Sequence, residues 1–440
     1  MATPLHSYAH FFIWGLGREG KAVLETLSDL KVSADIVVVD AKRPLELPAG
    51  VTYLPEAQMA AAIASSSNAL LIKSPGISLY DRRVDAALRA GARLTSQTNL
   101  FFELKPAEQR VIAITGTKGK STSAALTHHM LQALDHSAAL AGNIGVPVLQ
   151  APKDAQTIVL ELSSYQIADL VHAPDAFIFL NMMSDHAPWH HGLDRYRRDK
   201  MRLAQLDPNT LGIMNATDSV LTDAFADQPN RVWFGTEQGF HVKDGAVWQR
   251  QECFGDVPNL PGEHNALNVC AALTLVETLG FDPEAAFRSL ADFKGLSHRL
   301  QTVHTIGDVD FIDDALATTP ESCVLAVKAL KDRPCALILG GEDRNQDYDL
   351  LRAALDELTN LEKIVTTPDN GPVIAQALLS GRHGDKVYQA SDLPLAVEEA
   401  YASLNGRGAV LLSPAAPRGK DFSDFAHRGA VFLKAAQAIG

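Results

Sequence analysis

Ala113-Ile114-Thr115-Gly116-Thr117-Lys118-Gly119-Lys120-Ser121-Thr122 organises the chain around it. Apolar, strand-prone residues (Val111, Ile112, Ile114) run into two glycines, a lysine and two hydroxyls, after which Ala124-Ala125-Leu126-Thr127 reads as helix. That order predicts a backbone loop at the start of a helix, where N–H groups and the helix dipole favour an anion. Gly116 and Gly119 let the main chain approach a phosphate, Lys120 supplies a point charge, and Ser121 or Thr122 is of the type that holds Mg²⁺. The spacing is tighter than in the usual phosphate-binding loop, since only Thr117 and Lys118 separate Gly116 from Gly119-Lys120. An ordinary glycine-rich turn before a surface helix is the competing reading, but it leaves the register of strand, loop, lysine and hydroxyls unaccounted for. The pattern predicts a nucleoside triphosphate site.

Toward the N-terminus, His10-Phe11-Phe12-Ile13-Trp14 reads as a buried strand, Gly15-Leu16-Gly17-Arg18-Glu19-Gly20 as a turn, and residues 21–30 as a helix. A second strand at 36–39 ends in Asp40, with Lys42 beyond it. A GxGxxG between strand and helix, with an acid about 20 residues on, is the dinucleotide-type fingerprint. The same geometry serves any diphosphate, UDP included, or a purely structural tight turn. A further apolar strand at 69–73 ends in Ser74-Pro75-Gly76, and Lys105-Pro106 marks the expected boundary of this segment.

Beyond the phosphate loop, an apolar strand over 156–162 carries Glu161 near its end, and one over 176–180 leads through Asn181 to Ser184-Asp185-His186. Acids and imidazoles at strand ends beside a phosphate loop suit metal ligands; a solvated strand end is the plainer reading of Glu161. Zinc is not expected at His186, His190 and His191, because Pro188 interrupts the helix that would align the first two. From about 298 the pattern alternates again. Strands are expected at 309–312, 335–339, 363–366 and 409–412, with helices at 321–330, 349–358, 373–379, 393–404 and 425–438. This predicts a second open α/β unit with a parallel sheet. Asp313 and Asp314 at a strand end suit ribose hydroxyls or a turn cap equally.

Composition excludes several classes. Of 440 residues, 46% are hydrophobic and 21% charged, which describes a globular protein and not a disordered one. A net charge of −13 argues against a nucleic-acid surface and gives weight to the cations beside the glycine loops. Four cysteines without CxxC spacing read as reduced thiols, two of them, Cys270 and Cys335, in apolar runs. No signal-like N-terminus or membrane-length apolar run is present, so a cytoplasmic protein without membrane or nucleic-acid partners is expected.

Taken together, several motifs resemble the Mur ligases of peptidoglycan synthesis. They are Gly116 to Thr122, Gly142-Asn143-Ile144-Gly145, Glu161-Leu162-Ser163-Ser164-Tyr165-Gln166, Asp185-His186, Tyr196 through Lys200, Gly262-Glu263-His264-Asn265 with Asn268, and His298-Arg299. Within that family, the Glu161–Gln166 motif and the first glycine loop resemble the branch that adds glutamate to UDP-N-acetylmuramoyl-L-alanine. The resemblance implies an α/β protein of three domains. They are a Rossmann-like UDP-substrate domain (1–108), a central P-loop ATPase-like domain with a mostly parallel sheet (109–297), and a Rossmann-like glutamate domain (298–440). It further implies a monomer acting on small molecules, with ATP and Mg²⁺. The γ-phosphate passes to the substrate carboxylate, and the glutamate amine attacks the resulting acyl phosphate. Such a transfer needs positioning and charge neutralisation more than covalent help.

By the same resemblance Lys120 holds the β/γ-phosphates, with Gly116, Thr117, Lys118, Gly119, Ser121 and Thr122 forming the cradle. Ser121, Glu161, His186 and a carbamylated Lys200 serve Mg²⁺, and Asn143 lies near the reacting groups. A carbamate is an oxygen ligand of the kind Mg²⁺ prefers, where a bare ammonium would be repelled. Without the resemblance, Lys200 in the charged run 195–202 reads as a solvated helix face. Asn268 falls on the adenine side, Asp314 on the ribose side, and Arg299 reaches a phosphate on domain closure. Gly15, Gly17, Gly20, Asp40, Lys42, Ser74 and Gly76 take the UDP part.

The glutamate pocket departs from the family pattern. Ala315-Leu316-Ala317-Thr318-Thr319 stands where Ser-Lys-Ala-Thr-Asn is usual, so a cation is missing at Leu316. A lysine expected after Gly340-Gly341 is replaced by Arg344, and the usual aromatic aligns with Gly419. Arg344, Thr318, Ser413 and Lys420 are the candidates for the two glutamate carboxylates. D-Glutamate is the first expectation, with L-glutamate as the alternative. Competing classes are a nicotinamide oxidoreductase on the first glycine loop, an inactive relative, and an amide ligase for another carboxylate.

Overall fold

A computed structural model describes residues 4–44, 46–183, 187–258, 260, 262–343, 346 and 348–439, the side chains of Ala187 and Glu321 excepted. The first sheet contains β1 (His10–Trp14), β2 (Asp35–Asp40), β3 (Val51–Pro55), β4 (Ala69–Lys73) and β5 (Arg93–Thr95), in the order β3-β2-β1-β4-β5 and parallel throughout. Alternation along its strands explains the continuous apolar runs. Phe11, Ile13, Val38, Leu70 and Ile72 fall in one cluster, and Phe12, Trp14, Val39 and Leu71 in another. A parallel sheet covered on both faces needs both sets apolar. Each such large side chain contributes about 1.5–3 kcal/mol by burial.

The second sheet comprises β6 (Arg110–Thr115), β7 (Ala138–Gly142), β8 (Thr157–Glu161), β9 (Ala176–Phe179), β10 (Leu211–Asn215) and β11 (Arg231–Phe234). It runs β11-β10-β9-β6-β8-β7, again parallel. Chain order reverses around β6, and ligands of open α/β sheets collect outside the strand ends at such a switch point. The helix Glu263–Thr278 is buried over most of its circumference, which accounts for its nearly unbroken run of small and apolar residues. Between these elements lies a small antiparallel meander, β12 (Phe240–Lys243), β13 (Ala246–Gln249) and β14 (Glu252–Gly255).

The third sheet holds β15 (Gln301–Ile306), β16 (Asp308–Asp313), β17 (Cys335–Leu339), β18 (Leu361–Thr366), β19 (Val387–Gln389) and β20 (Arg407–Leu412), in the order β15-β16-β20-β17-β18-β19. Only the β15–β16 pair is antiparallel. Asp313, Leu412 and Leu339 thus end neighbouring strands and bring three loops together.

The chain divides into two compact units, 1–293 and 294–440. The first two sheets share one unit because buried polar contacts join them. Lys73 pairs with Asp169 at 3.1 Å, both nearly inaccessible. Asn99 accepts from the Val171 N–H and donates to the Asp169 carbonyl, and Gln166 donates to Glu19. Among the described residues no helix is long and apolar enough to cross a membrane. Pro188 stands at the second position of the short helix Ala187–His190, where a missing N–H costs nothing; His186, whose alignment with His190 it was expected to prevent, lies outside the described residues.

Candidate active site

Thr115 ends β6, and the loop that follows turns into the helix Lys120–Ala133 through Gly119 at φ 84°. A Cβ at Gly119 would stand 2.6 Å from Asn268 Oδ1, so only glycine lets the loop lie against that amide. The loop is pinned from several sides. The Thr117 N–H donates to Asn181 O at 3.0 Å, the Lys118 N–H to Asn181 Oδ1 at 2.9 Å, and the Thr117 hydroxyl meets the Tyr196 hydroxyl at 2.6 Å. Lys120 Nζ donates to the carbonyls of Gly116 (3.1 Å) and Thr117 (3.0 Å). Ser121 and Thr122 occupy the first helical turn, whose N–H groups have no intrahelical acceptor.

Lys200 comes from the helix Leu193–Gln205 and is buried beneath the loop, its Nζ donating to Gly116 O at 2.8 Å and Thr115 Oγ1 at 3.2 Å. Glu161 ends β8 opposite Ile114 and is fully buried. Its Oε1 accepts from Asn143 Nδ2 at 2.8 Å, while Oε2 has no hydrogen-bond partner among the described residues. The structure therefore gathers Lys120, Ser121, Asn143, Glu161, Lys200 and Asn268 about one loop. His186 lies outside the described residues.

The first glycine loop sits between the ends of β1 and β4, the switch point of its sheet. Ser74 Oγ donates to Gly15 O at 2.7 Å, and the Asp40 carboxylate accepts from the N–H groups of Leu16 (3.0 Å) and Lys42 (3.4 Å). A Cβ on Gly20 would lie 2.2 Å from Gly15 O, so helix and loop approach only through glycine. Gly17 caps the helix Arg18–Asp29, and space is open at Gly17 and Gly76.

In the second unit Asp314 is buried, with Ser413 Oγ donating to Oδ2 at 2.7 Å and the Leu300 N–H to Oδ1 at 3.2 Å. Burial pushes its pKa up to about 7, against the Ser413 hydrogen bond and the charge of Arg299. Asp313 pairs with His298 at 2.7 Å, which raises the imidazole's pKa. Ser413, expected toward glutamate, is fully buried and spends its proton on Asp314. The Thr318 carbonyl accepts from Gln346, and Lys420, its side chain 91% exposed, lies 3.7 Å from Asp369. Arg344 lies outside the described residues.

Two family models match: Mur ligase middle domain over residues 114–276, and Mur ligase, glutamate ligase domain over 298–416. The chain is 35% identical to a protein of Xanthomonas euvesicatoria named UDP-N-acetylmuramoyl-L-alanine–L-glutamate ligase, over 96% of this chain and 94% of that one. Proteins of the same name from Xylella fastidiosa (96% and 93% covered) and a Micromonospora species (96% and 95%) are also 35% identical.

The chain belongs to the Mur ligase family.

Its fold is likewise that of solved Mur ligases. UDP-N-acetylmuramate-alanine ligase MurC from Thermotoga maritima superposes with a TM-score of 0.64 at 18% identity, over 98% of this chain and 99% of that one. MurF from the same organism, in complex with ADP, gives 0.57 at 16% identity over the whole of both chains. As a Mur ligase the chain is an ATP-dependent, amide-forming enzyme.

The residues present fit ATP and Mg²⁺. An uncompensated buried carboxylate oxygen is costly, and Glu161 Oε2 is such an atom beside the phosphate loop. A hard cation with oxygen ligands would satisfy it.

Sequence reasoning missed Arg428 in this Mur ligase. It is buried, and its guanidinium donates to the carbonyls of Ala315, Gly340, Ala416 and Pro417, tying together the loops after β16, β17 and β20. Burial lowers its pKa to about 10. The available signal was an arginine between Phe425 and Phe432 on the inner face of an apolar helix.

Proposed function

We propose that this Mur ligase joins L-glutamate to UDP-N-acetylmuramoyl-L-alanine with ATP. The muramoyl-alanine carboxylate takes the γ-phosphoryl group, releasing ADP. The glutamate amine then attacks the acyl carbon, and phosphate leaves as the amide forms. The observation that carries the ligase reading is the buried, half-satisfied Glu161 carboxylate registered against the phosphate loop.

Lys120 supplies charge to the β- and γ-phosphates, and the first-turn amides of the helix Lys120–Ala133 orient them. Asn143 fixes the Glu161 carboxylate through Oε1. Ser121, Glu161, His186 and carbamylated Lys200 would hold Mg²⁺, which would neutralise charge on the transferring phosphoryl group. Asn268 is proposed for the adenine side, with Asp314 and Arg299 from the second unit. The loop Gly15–Gly20 with Asp40, Lys42, Ser74 and Gly76 is proposed for UDP. We further propose a monomeric cytoplasmic enzyme whose partners are these small molecules.

The enantiomer rests on the relatives, whose names specify L-glutamate. The missing cation at Leu316 supports a pocket unlike the D-glutamate pattern expected first. Lys420, Arg344 and Thr318 are proposed to meet the glutamate carboxylates. The test supplies ATP, Mg²⁺, UDP-N-acetylmuramoyl-L-alanine and each glutamate enantiomer separately, and reads phosphate release. Release with L-glutamate alone is expected. Release with D-glutamate alone overturns the enantiomer, and release with neither overturns the ligase assignment.

A further inference from the structure

Ser164, His190 and Asp199 form a buried chain of hydrogen bonds beside the site. Ser164 Oγ lies 2.9 Å from His190 Nε2, and His190 Nδ1 lies 2.5 Å from Asp199 Oδ2. The other Asp199 oxygen accepts from the Tyr80 hydroxyl at 2.6 Å. Residue types and order match a nucleophilic triad, yet Ser164 is only 2% exposed and His190 fully buried. No substrate reaches that hydroxyl, so the arrangement positions other groups.

Its ends fall on different sites. Tyr80 belongs to the loop after β4, which begins with Ser74 and Gly76 on the proposed UDP side. Ser78 Oγ of the same loop donates to Trp189 O at 2.6 Å, and Trp189 Nε1 donates to Pro75 O at 3.1 Å. Trp189 stacks on Tyr165 at 4.4 Å, which seats the segment between two elements. On the far side, Ser164 opens the helix that follows Glu161, and Asp199 immediately precedes Lys200. The His190 ring packs edge-on against Tyr196 at 5.3 Å, and the Tyr196 hydroxyl meets Thr117 of the phosphate loop. One imidazole therefore contacts the helix that follows Glu161 and the helix that carries Lys200, while its acid partner is held from the UDP side.

Resting on the proposed function, we infer that Tyr80, Asp199, His190 and Ser164 form a positioning network that couples the UDP-sugar loop to the phosphate loop. Occupancy of one site then strengthens binding at the other, because the same hydrogen bonds order both. Such coupling is reciprocal and worth about fivefold or more in affinity when it operates.

The test titrates the whole chain with a non-hydrolysable ATP analogue and Mg²⁺, with and without saturating UDP-N-acetylmuramoyl-L-alanine, glutamate being left out. In the wild type the muramoyl substrate should tighten analogue binding at least about fivefold. Tyr80→Phe removes one hydroxyl and keeps the ring, so it should retain the melting temperature and each separate affinity but lose the coupling. Its KM for the UDP-sugar at saturating ATP should rise by that same factor, because the coupling is reciprocal. Asp199→Ala should lose coupling as well, and Asp199→Asn, which keeps two hydrogen-bonding atoms, should restore it. Wild-type coupling in both Tyr80→Phe and His190→Ala overturns the inference, whatever happens to stability. So does a wild type that binds and turns over without coupling. A wild type that never binds the UDP-sugar instead overturns the proposed function, and the inference with it.

Discussion

Asn143 grips Glu161 twice: its backbone N–H donates to the Glu161 carbonyl at 3.0 Å, and Nδ2 donates to Oε1 at 2.8 Å. The pair aims the carboxylate and leaves Oε2 buried without a partner among the described residues. Stability and function therefore pull in opposite directions there. Glu161→Gln replaces a carboxylate that has one unpartnered buried oxygen by a neutral amide, which is cheaper to bury. Activity should fall at least about a hundredfold, while the melting temperature without nucleotide stays level or rises. A variant that melts earlier and keeps its activity would show the carboxylate to be structural.

Lys120 Nζ donates to two carbonyls of its own loop, those of Gly116 and Thr117. Lys120→Ala should leave the circular dichroism spectrum and melting curve close to wild type and lower kcat/KM by about a hundred- to a thousandfold. Near-normal turnover would remove the phosphate role.

Glu19 gives a pH signature. Burial raises its pKa from 4.5 to about 7, opposed by the Gln166 hydrogen bond. The folded chain then holds that proton more tightly than the unfolded one. Stability from this group is greatest below pH 4.5 and is lost as pH rises through about 7. Glu19→Gln, whose carbonyl still accepts from Gln166, should flatten that loss and gain at most about 3 kcal/mol at pH 8. Denaturant melts of both chains between pH 4.5 and 8 measure the difference; parallel curves would refute it. Asp314 titrates in the same window in both chains and cancels in the comparison.

Lys73 and Asp169 are paired at 3.1 Å with almost no solvent access. Removing one partner strands the other charge, so Lys73→Ala should destabilise the first unit by about 3–5 kcal/mol. Replacing both by apolar residues should recover most of the loss in the same denaturant series.

The strands that position the site were legible because both-face burial writes itself as unbroken apolar runs, as in Phe11 to Trp14 or Val111 to Ile114. The glycine loops were legible because a backbone that approaches a ligand tolerates no side chain. Other elements left weaker traces. β7, built from Ala138 to Gly142, is poor in strand-forming residues and forms by pairing with β8. The β12–β13 hairpin carries its signal in Asp244-Gly245, both at positive φ as a two-residue turn requires. Lys200 and Asp199 hide in a charged run that looks solvated, although Tyr196, Lys200 and Leu203 share the inner face of their helix. His190 could not be singled out, because its partners lie 9 and 26 residues away in the chain.

Because Lys73–Asp169 and its neighbours weld the first two sheets, heat should dissolve the molecule in two cooperative blocks, not three. Calorimetry of the full chain would then resolve two endotherms, the larger belonging to residues 1–293. A muramoyl ligand seated on the first sheet would shift that larger transition as a whole, carrying the phosphate loop with it.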